Sequence, residues 1–569
     1  MLSLKRLGYI LFIVLSLCTV FFIYAVNENQ NQLLSVSNVQ VEEEPLVEGE
    51  AVVEKGNVTF LVVGDEDKAL YQDIYANVCG LMEDMKVSWR KAEHLEDEDL
   101  DTSQNVLIFC DDEIGAYVKL DDCMRFLENG GRMILAAGFA EGYADSYMTP
   151  AFGIVEKSAK ENYNDFLFEE DFLPLQEEEL SCNGYTVSTW IKVREDAIVY
   201  VSDRQKQVPV IYKYSYGEGS SLIFNTTILG DKQCAGLLAA GIAALLEDFI
   251  YPVMGTECVF LDNFPAVTYV DDSKCMKLYG RTTESFVKDV IWPVFQEMAV
   301  ENGIRYTSSV MTVASSADAF SAKSEGLFFA MQKSALQFDG EMAYGINCEE
   351  PAELVVDDDF IDRFHEAFSN YKISSMVMTS EEPVAEAVAL FGDDITAVRG
   401  KLEAKAATGR LCYTKDYFVF PEATCGLDLE VGNMLAIASV LAGYGMISHT
   451  FDVNELICNA AQDSNWDDNK IALADFDERV FDEVSYLEAC TLSQTRNRVN
   501  SYLNLEYTWT QNGDATELVV NRYADGQAFY VKSSRAIARA EGADFTEVGN
   551  GYYLLRIHDS RVTIFYEGE

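Results

Sequence analysis

The first apolar block of the chain runs from Leu7 to Val26 without a charge, directly behind Lys5 and Arg6. About twenty such residues, at ~1.5 Å rise each, span the ~30 Å hydrocarbon core of a bilayer. No Lys or Arg follows the block until Lys55. The bias of positive charge to the cytoplasmic side therefore predicts an N-terminal transmembrane helix with the bulk of the chain outside a cell membrane, in single-pass topology. A cleaved signal peptide would carry an apolar region of about 7–15 residues closed by small residues. This block is longer and ends in Phe21, Phe22, Ile23 and Tyr24 before Ala25. The next residues, 27–56, are polar and acidic without amphipathic period, which predicts a flexible stalk.

From Asn57 the pattern alternates between short continuous apolar runs and helical spacing. Val58–Val63, Asn105–Cys110 and Arg132–Ala136 are predicted as buried strands. Ala69–Met85, with Leu70, Ile74, Val78 and Leu81, and Leu120–Leu127 are predicted as helices between them. Strands that are apolar throughout imply a parallel sheet covered on both faces. Val208–Tyr212, Ser221–Asn225 and a small-residue helix over Ala235–Phe249 extend the same unit. Beyond about Arg496 the rhythm shortens. Leu503–Trp509, Leu518–Val520, Ala528–Val531, Tyr552–Ile557 and Val562–Tyr566 are strand-length runs separated by Gly/Asn/Asp turns, the pattern of a β-sandwich.

Charge narrows the function classes. The 42 basic and 94 acidic residues of the 569 give a net charge of −52. A nucleic-acid partner is excluded, since phosphate binding needs a basic footprint. Such a surface suits a cationic or amine-bearing partner, and it also serves solubility alone. None of the 13 cysteines forms a C-x-x-C pair, and the four histidines are His94, His365, His449 and His558.

The run from Asn105-Val-Leu-Ile-Phe109 to Phe126-Leu-Glu-Asn-Gly-Gly131-Arg-Met-Ile-Leu135, with Tyr216-Gly-Glu-Gly-Ser-Ser-Leu-Ile-Phe224, resembles the class I glutamine-amidotransferase-like fold. That family carries its nucleophilic cysteine at a Gly-x-Cys-x-Gly elbow. Here Arg132–Ala136 leads into Ala137-Gly-Phe-Ala140, and no histidine lies between His94 and His365. A catalytic triad cannot be assembled from these residues, so the unit is expected to be a scaffold or binding module.

A second signal follows. Phe260-Leu-Asp262 is a short strand, and Tyr269-Val-Asp271-Asp272-Ser273 places two carboxylates beyond it. Tyr269–Ser273 resembles the Thr-Phe-Asp-Asp-Gly motif of NodB-type polysaccharide deacetylases (carbohydrate esterase family 4). Glu341-Met-Ala-Tyr344-Gly-Ile-Asn-Cys348 falls where that family has His-x-x-x-His, and Gly445-Met-Ile-Ser-His449-Thr-Phe-Asp452 resembles its last histidine motif. The resemblance implies a deformed (β/α) barrel, with Asp271 at the general-base position, His449 at the general-acid position and Asp272 at a metal-ligand position. It departs from the family at the two ligating histidines, which align with Tyr344 and Cys348. Asp272 and Cys348 are then the candidates left to hold a divalent metal such as zinc, and Asp262, Tyr344 and Asp452 are candidates for contacting substrate.

The expected fold class is thus α/β in five segments: a transmembrane anchor over 1–26, a stalk over 27–56, a flavodoxin/amidotransferase-like domain over 57–257, a deacetylase-like barrel over 258–480 and a β-sandwich over 481–569. Two functions are open. One is a membrane-anchored accessory protein of exopolysaccharide synthesis or export, binding polysaccharide through a degenerate deacetylase-like domain and meeting other proteins of that machinery. The other is an active polysaccharide N-deacetylase or a divergent carbohydrate-active hydrolase using Asp271, Asp272 and His449.

Overall fold

The computed structural model describes residues 58–139, 147–205, 207–264, 272–314, 325–347, 371–378, 394–401, 411–413, 416–430, 432–459 and 464–567, with scattered positions between 355 and 389. The first unit is built on β1 (Thr59–Val63), α1 (Gln72–Asp84), β2 (Ser88–Ala92), β3 (Asn105–Phe109), α2 (Leu120–Glu128) and β4 (Arg132–Leu135). It continues through β5 (Ile154–Phe168), β6 (Glu179–Val193), β7 (Ile198–Asp203), β8 (Pro209–Tyr216), β9 (Gly219–Phe224) and α3 (Gly236–Leu246). One sheet holds all these strands in the order β2-β1-β3-β4-β9-β8-β7-β5-β6. The pairings from β2 to β9 are parallel, and their apolar runs are buried as a two-sided cover requires. From β9 through β8 and β7 to β5 and β6 every pairing is antiparallel.

Next come β10 (Phe249–Val253), β11 (Thr256–Asp262), α4 (Asp272–Tyr279), α5 (Trp292–Asn302), β12 (Tyr306–Ala314), α6 (Glu325–Leu336) and β13 (Glu341–Asn347). They are followed by β14 (Ser375–Met378), β15 (Ala397–Lys401), β16 (Phe418–Glu422), β17 (Thr424–Cys425), α7 (Asn433–Tyr444), β18 (Met446–Asp452), α8 (Val453–Ile457) and α9 (Trp466–Phe476). Strand β11 lies between β12 and β18, and β13, β14, β15 and β16 follow β12, all in parallel. One residue past β16, β17 pairs in parallel with β18, so the strand path curls back towards its first member.

Helix α10 (Arg496–Asn504) leads into β19 (Glu506–Asn512), β20 (Ala515–Asn521), β21 (Ala528–Lys532), β22 (Ile537–Glu541), β23 (Ala543–Gly549), β24 (Tyr552–Ile557) and β25 (Arg561–Tyr566). These form two four-stranded sheets, β19-β20-β25-β22 and β10-β21-β24-β23, whose apolar faces share one core containing Leu518, Phe529, Leu555 and Ile564. The strand β10 in the second sheet comes from the end of the first unit.

The expected fold class is corrected accordingly. The chain is a mixed α/β structure whose first sheet is parallel only in part, and whose C-terminal sheets are completed by residues 249–253 rather than made from 481–569 alone. Among the described residues no helix is long and apolar enough to cross a membrane. The block Leu7–Val26, on which the transmembrane expectation rested, and the stalk at 27–56 lie outside the described residues.

The units are joined through a shared core. One hydrophobic cluster runs from Phe60 and Val62 through Leu237, Phe260 and Phe451 to Tyr530 and Leu554. Helix α3 of the first unit crosses α7 of the second at Gly236 and Gly443. A Cβ on Gly236 would stand 1.8 Å from the Ser439 carbonyl oxygen and 2.8 Å from the Gly443 nitrogen. Only hydrogen fits there, and the close approach lets the two helices meet backbone to backbone. The Tyr251 hydroxyl donates to the Ala442 carbonyl at 2.6 Å, tying β10 to α7, and the Tyr502 hydroxyl donates to the Asp84 carbonyl at 2.9 Å, tying residues 496–504 to α1. Gly236→Ala is expected to destabilise the chain by about 1–3 kcal/mol or more through overpacking. The measurement is the urea midpoint of the purified protein, and an unchanged midpoint would show that the crossing has slack.

Candidate functional site

Strand β11 is buried along its whole length, which is unusual for a segment that ends in aspartate. The reason lies in what the neighbouring strands bring to its C-terminal end. Arg399 of β15, 1% exposed, meets Asp262 with two parallel bonds, Nη1 to Oδ1 at 3.0 Å and Nη2 to Oδ2 at 2.9 Å. Its Nη1 also donates to Thr450 Oγ1 of β18 at 2.9 Å and lies 3.2 Å from Glu422 Oε2 of β16. Thr450 in turn donates to that same carboxylate. Ser309 of β12 donates to Asp262 Oδ1 at 2.8 Å, and the guanidinium sits 5.1 Å from the Phe260 ring centre.

Burial works against the charge on Arg399, but Asp262 and Glu422 beside it more than offset this, and the guanidinium is held above its ordinary range. One cation shared by two carboxylates, with the Thr450 hydroxyl bridging the guanidinium and Glu422, is the arrangement that makes a buried ion cluster tolerable.

Next to this cluster stands a third carboxylate. Asp452, the last residue of β18, accepts from Asn263 Nδ2 at 2.9 Å and from the Asn454 backbone N–H at 2.8 Å. Burial pushes its carboxyl up to about 6. The bonds from Asn263 and Asn454 work in the opposite direction, and the nearby Asp262 and Glu455 add to the rise. Asn263 takes a left-handed backbone, φ 54°, as the chain turns out of β11. Asparagine is among the few side chains that tolerate that region. Asp262, Glu422 and Asp452 are each the last residue of a parallel strand, the end at which α/β folds place their ligand sites.

The residues expected from the sequence are distributed differently. Asp262 and Asp452 come together here. His449 does not join them: it is 0% exposed and lies between Asp452's strand and α9, with its ring 4.6 Å from that of Phe451 and 4.4 Å from that of Phe476. Its Nε2 faces the Gly426 carbonyl at 2.8 Å and so carries the proton, while Nδ1 accepts from Thr424 Oγ1 at 2.8 Å. Burial pushes the imidazole down to about 3, against the bond to Gly426. Successive side chains of a strand point to opposite faces, and Thr450 and Asp452 take the face His449 does not. The general-acid role expected of His449 is therefore corrected to a structural one.

Asp272 is exposed at the start of α4, where its Oδ1 accepts from the Thr283 N–H at 3.0 Å. Tyr344 is buried in β13, its phenol pushed up to about 12 by burial and then by Asp394. Asp271 and Cys348 lie outside the described residues. Among the described residues no group of three His, Cys, Asp or Glu side chains could hold a metal ion.

Arg399, Glu422, Ser309 and Asn263 escaped the sequence reading. The available signal was a lone arginine inside a strand-length run, Ala397-Val-Arg-Gly, in a strongly acidic chain. A charge in such a run is a candidate for pairing in the interior.

With this geometry in place, comparison with known proteins adds the following. Residues 107–338 match a family described as "Uncharacterised protein conserved in bacteria (DUF2194)". No curated protein matches the chain in sequence. Among solved structures it is similar to one described as Agd3, a novel carbohydrate deacetylase, with TM-score 0.54 and 9% identity, covering 90% of this chain and 99% of that one. At that identity the likeness shows a shared fold. Weaker partial likenesses include a beta-galactosidase from Bacillus circulans sp. alkalophilus (TM-score 0.26, 17% identity, 35% of this chain, 32% of that one). Another is a ThuA-like protein from Bacteroides uniformis (TM-score 0.27, 12% identity, 35% of this chain, 94% of that one).

Two outcomes are expected. Arg399→Met leaves Asp262 and Glu422 buried and unpaired, at a cost of about 3–5 kcal/mol in urea unfolding. Arg399→Lys should recover only part of this, because lysine cannot reproduce the two-pronged bond. For His449, a folded-state value below the ordinary one means that the unfolded chain takes up the proton first. Its contribution is complete above about pH 6.5 and is lost as pH falls towards about 3. In His449→Gln the fall of the urea midpoint between pH 6.5 and 4 should be shallower than in the parent, and equal slopes would refute the assignment.

Proposed function

We propose that this chain handles carbohydrate, binding an amine-bearing polysaccharide at the C-terminal mouth of the β11–β18 unit. The observation that carries the reading is the pair of carboxylates at that mouth, Asp262 and Asp452, with the Asn263 amide between them, in a chain whose fold is shared over 90% of its length with a protein described as a carbohydrate deacetylase. The net charge of −52 favours a cationic polymer over an anionic one. A role alongside other proteins of exopolysaccharide synthesis or export goes with this reading and draws its support from the motif resemblance.

A second reading, hydrolysis of N-acetyl groups from the polymer, is favoured by Asp452. Removing an acetyl group from an amine needs a base to activate water and an acid to protonate the departing nitrogen. A carboxyl raised to about 6 retains a proton closer to neutrality than an ordinary aspartate does. Asp271 is the candidate base for this reading.

The expected result is that partly deacetylated amino-sugar oligomers bind the purified protein more tightly than fully acetylated ones in isothermal titration calorimetry, with the difference shrinking as salt is raised. Failure of both oligomers to bind would refute the reading. Acetate release from the acetylated oligomers, abolished in Asp271→Asn, would establish the hydrolytic version.

A further inference from the structure

We infer that Glu257 and the π-helical turn over Asp477–Phe481 form a proton-operated catch on the seam between the first and second units. With Glu257 neutral the catch is closed; loss of its proton sets two carboxylates against each other and loosens the grip of Arg479 on the first unit. This goes beyond the carbohydrate reading and does not rest on it. Glu257 is the second residue of β11, at the end opposite the mouth, and is 3% exposed. Its Oε1 is buried and has no hydrogen-bond partner among the described residues. A carboxylate sealed from water needs donors, and one that lacks them is accommodated more cheaply as the neutral acid. The groups that face it bring no positive charge. Its strand neighbours are the apolar Ile447 of β18 and Ala489, and burial keeps the thiol of Cys258, next along β11, neutral. Tyr306 of β12 lies near Glu257 and Asp477 but commits its hydroxyl to the Phe295 carbonyl at 3.0 Å. Asp477 acts on Glu257 directly, and behind it stand Asp482, Glu297 and Glu301. The Asn302 amide, which donates to Asp477 Oδ1 at 2.8 Å, is uncharged.

The turn carries the effect outwards. It continues α9 with five residues wound wider than an α-helix and is closed by the Asp482 N–H donating to the Asp477 carbonyl at 3.0 Å. Such single turns are rare and recur at functional sites. Two positions beyond Asp477, Arg479 reaches the first unit: Nε donates to Glu177 Oε1 at 2.8 Å and Nη2 to Oε2 at 2.7 Å. Its Nη1 holds Glu430 at 3.0 Å and Asp475 at 2.8 Å. One short turn thus carries a side chain facing the buried carboxyl and another that grips a different unit, so a push on Asp477 is transmitted to Arg479 through shared backbone. Burial pushes the Glu257 carboxyl up to about 8, and Asp477 adds to the rise. A folded-state value above the ordinary one means that the folded chain keeps a proton the unfolded chain gives up. The stabilisation is complete below about pH 4.5 and is lost as pH rises through about 8.

The test is amide hydrogen exchange of the full chain at about pH 6 and about pH 9, on either side of the transition, with intrinsic rates divided out. In the parent, residues 477–484 and the first-unit loop at 170–177 should lose at least about tenfold in protection at the higher pH, the size of one pH unit of linkage to a single proton. Strands β1 and β3 should keep theirs. Glu257→Gln has the same shape and cannot ionise, so its protection should be equal at both pH values. Asp477→Asn keeps the acceptor for Asn302 and removes the opposing charge, so the loss should shrink; it carries the comparison if Glu257→Gln fails to fold. Arg479→Met should expose the loop at 170–177 already at the lower pH, to the level that the parent reaches at the higher. A loss in Glu257→Gln as large as in the parent overturns the catch. So does a loss spread evenly over all units, or a turn that opens while 170–177 stays protected.

Discussion

A guanidinium inside a curled parallel sheet is an expensive object, and much of the second unit is arranged around making it tolerable. Arg399 brings β15 into register with Asp262 on β11, Glu422 on β16 and Thr450 on β18, strands that are not all neighbours in the sheet. An apolar filling could be repacked in many ways at small cost, whereas a two-pronged ion pair with its hydroxyl partners is satisfied in few. The same cluster settles the polarity of the mouth. Once Arg399 is committed to Asp262 and Glu422, the charged groups that act on Asp452 are carboxylates, and they add to the rise that burial gives its carboxyl.

The mouth is also held from outside. Helix α7 packs backbone to backbone on α3 of the first unit at Gly236, and β18 follows directly from α7. The helix that precedes the Asp452 strand is therefore braced by a unit with no residue in the site. His449 contributes from the other face of β18, where its two ring bonds anchor the strand to Thr424 and Gly426 and its ring packs on Phe476 of α9. A group that resembles a catalytic acid in a motif thus serves to fix the position of its neighbours.

How much of this was legible in the sequence follows from the range of the interactions. The runs at Thr59–Val63, Asn105–Phe109 and Arg132–Leu135 were readable because a strand buried on both faces must be apolar throughout. In the antiparallel half β8 and β9 were readable in the same way, but β5 was not, because it exposes much of its length. Asp262 and Asp452 were reached through motifs at strand ends. Arg399 and Glu422 were out of reach, since their partners are distant in sequence and pairing across a sheet leaves no local periodicity. For His449 the motif matched, but a motif does not carry the face of the strand, and a single step along β18 separates the site from the packed exterior. The membrane expectation concerned residues that the structure does not describe, and no described helix takes its place.

The strand β10 has a bearing on how the chain is made. Its residues, 249–253, pair with Ala528–Lys532, close to the other end of the polypeptide. During synthesis this strand emerges long before its partner exists, and its exposed edge is the kind of template that recruits foreign strands. The second unit has to form in the interval, between a strand and the residues that will cover it. Residues 528–532 are thus the closing seal of a structure begun at Phe249, and the earlier units remain vulnerable to misassembly until they arrive.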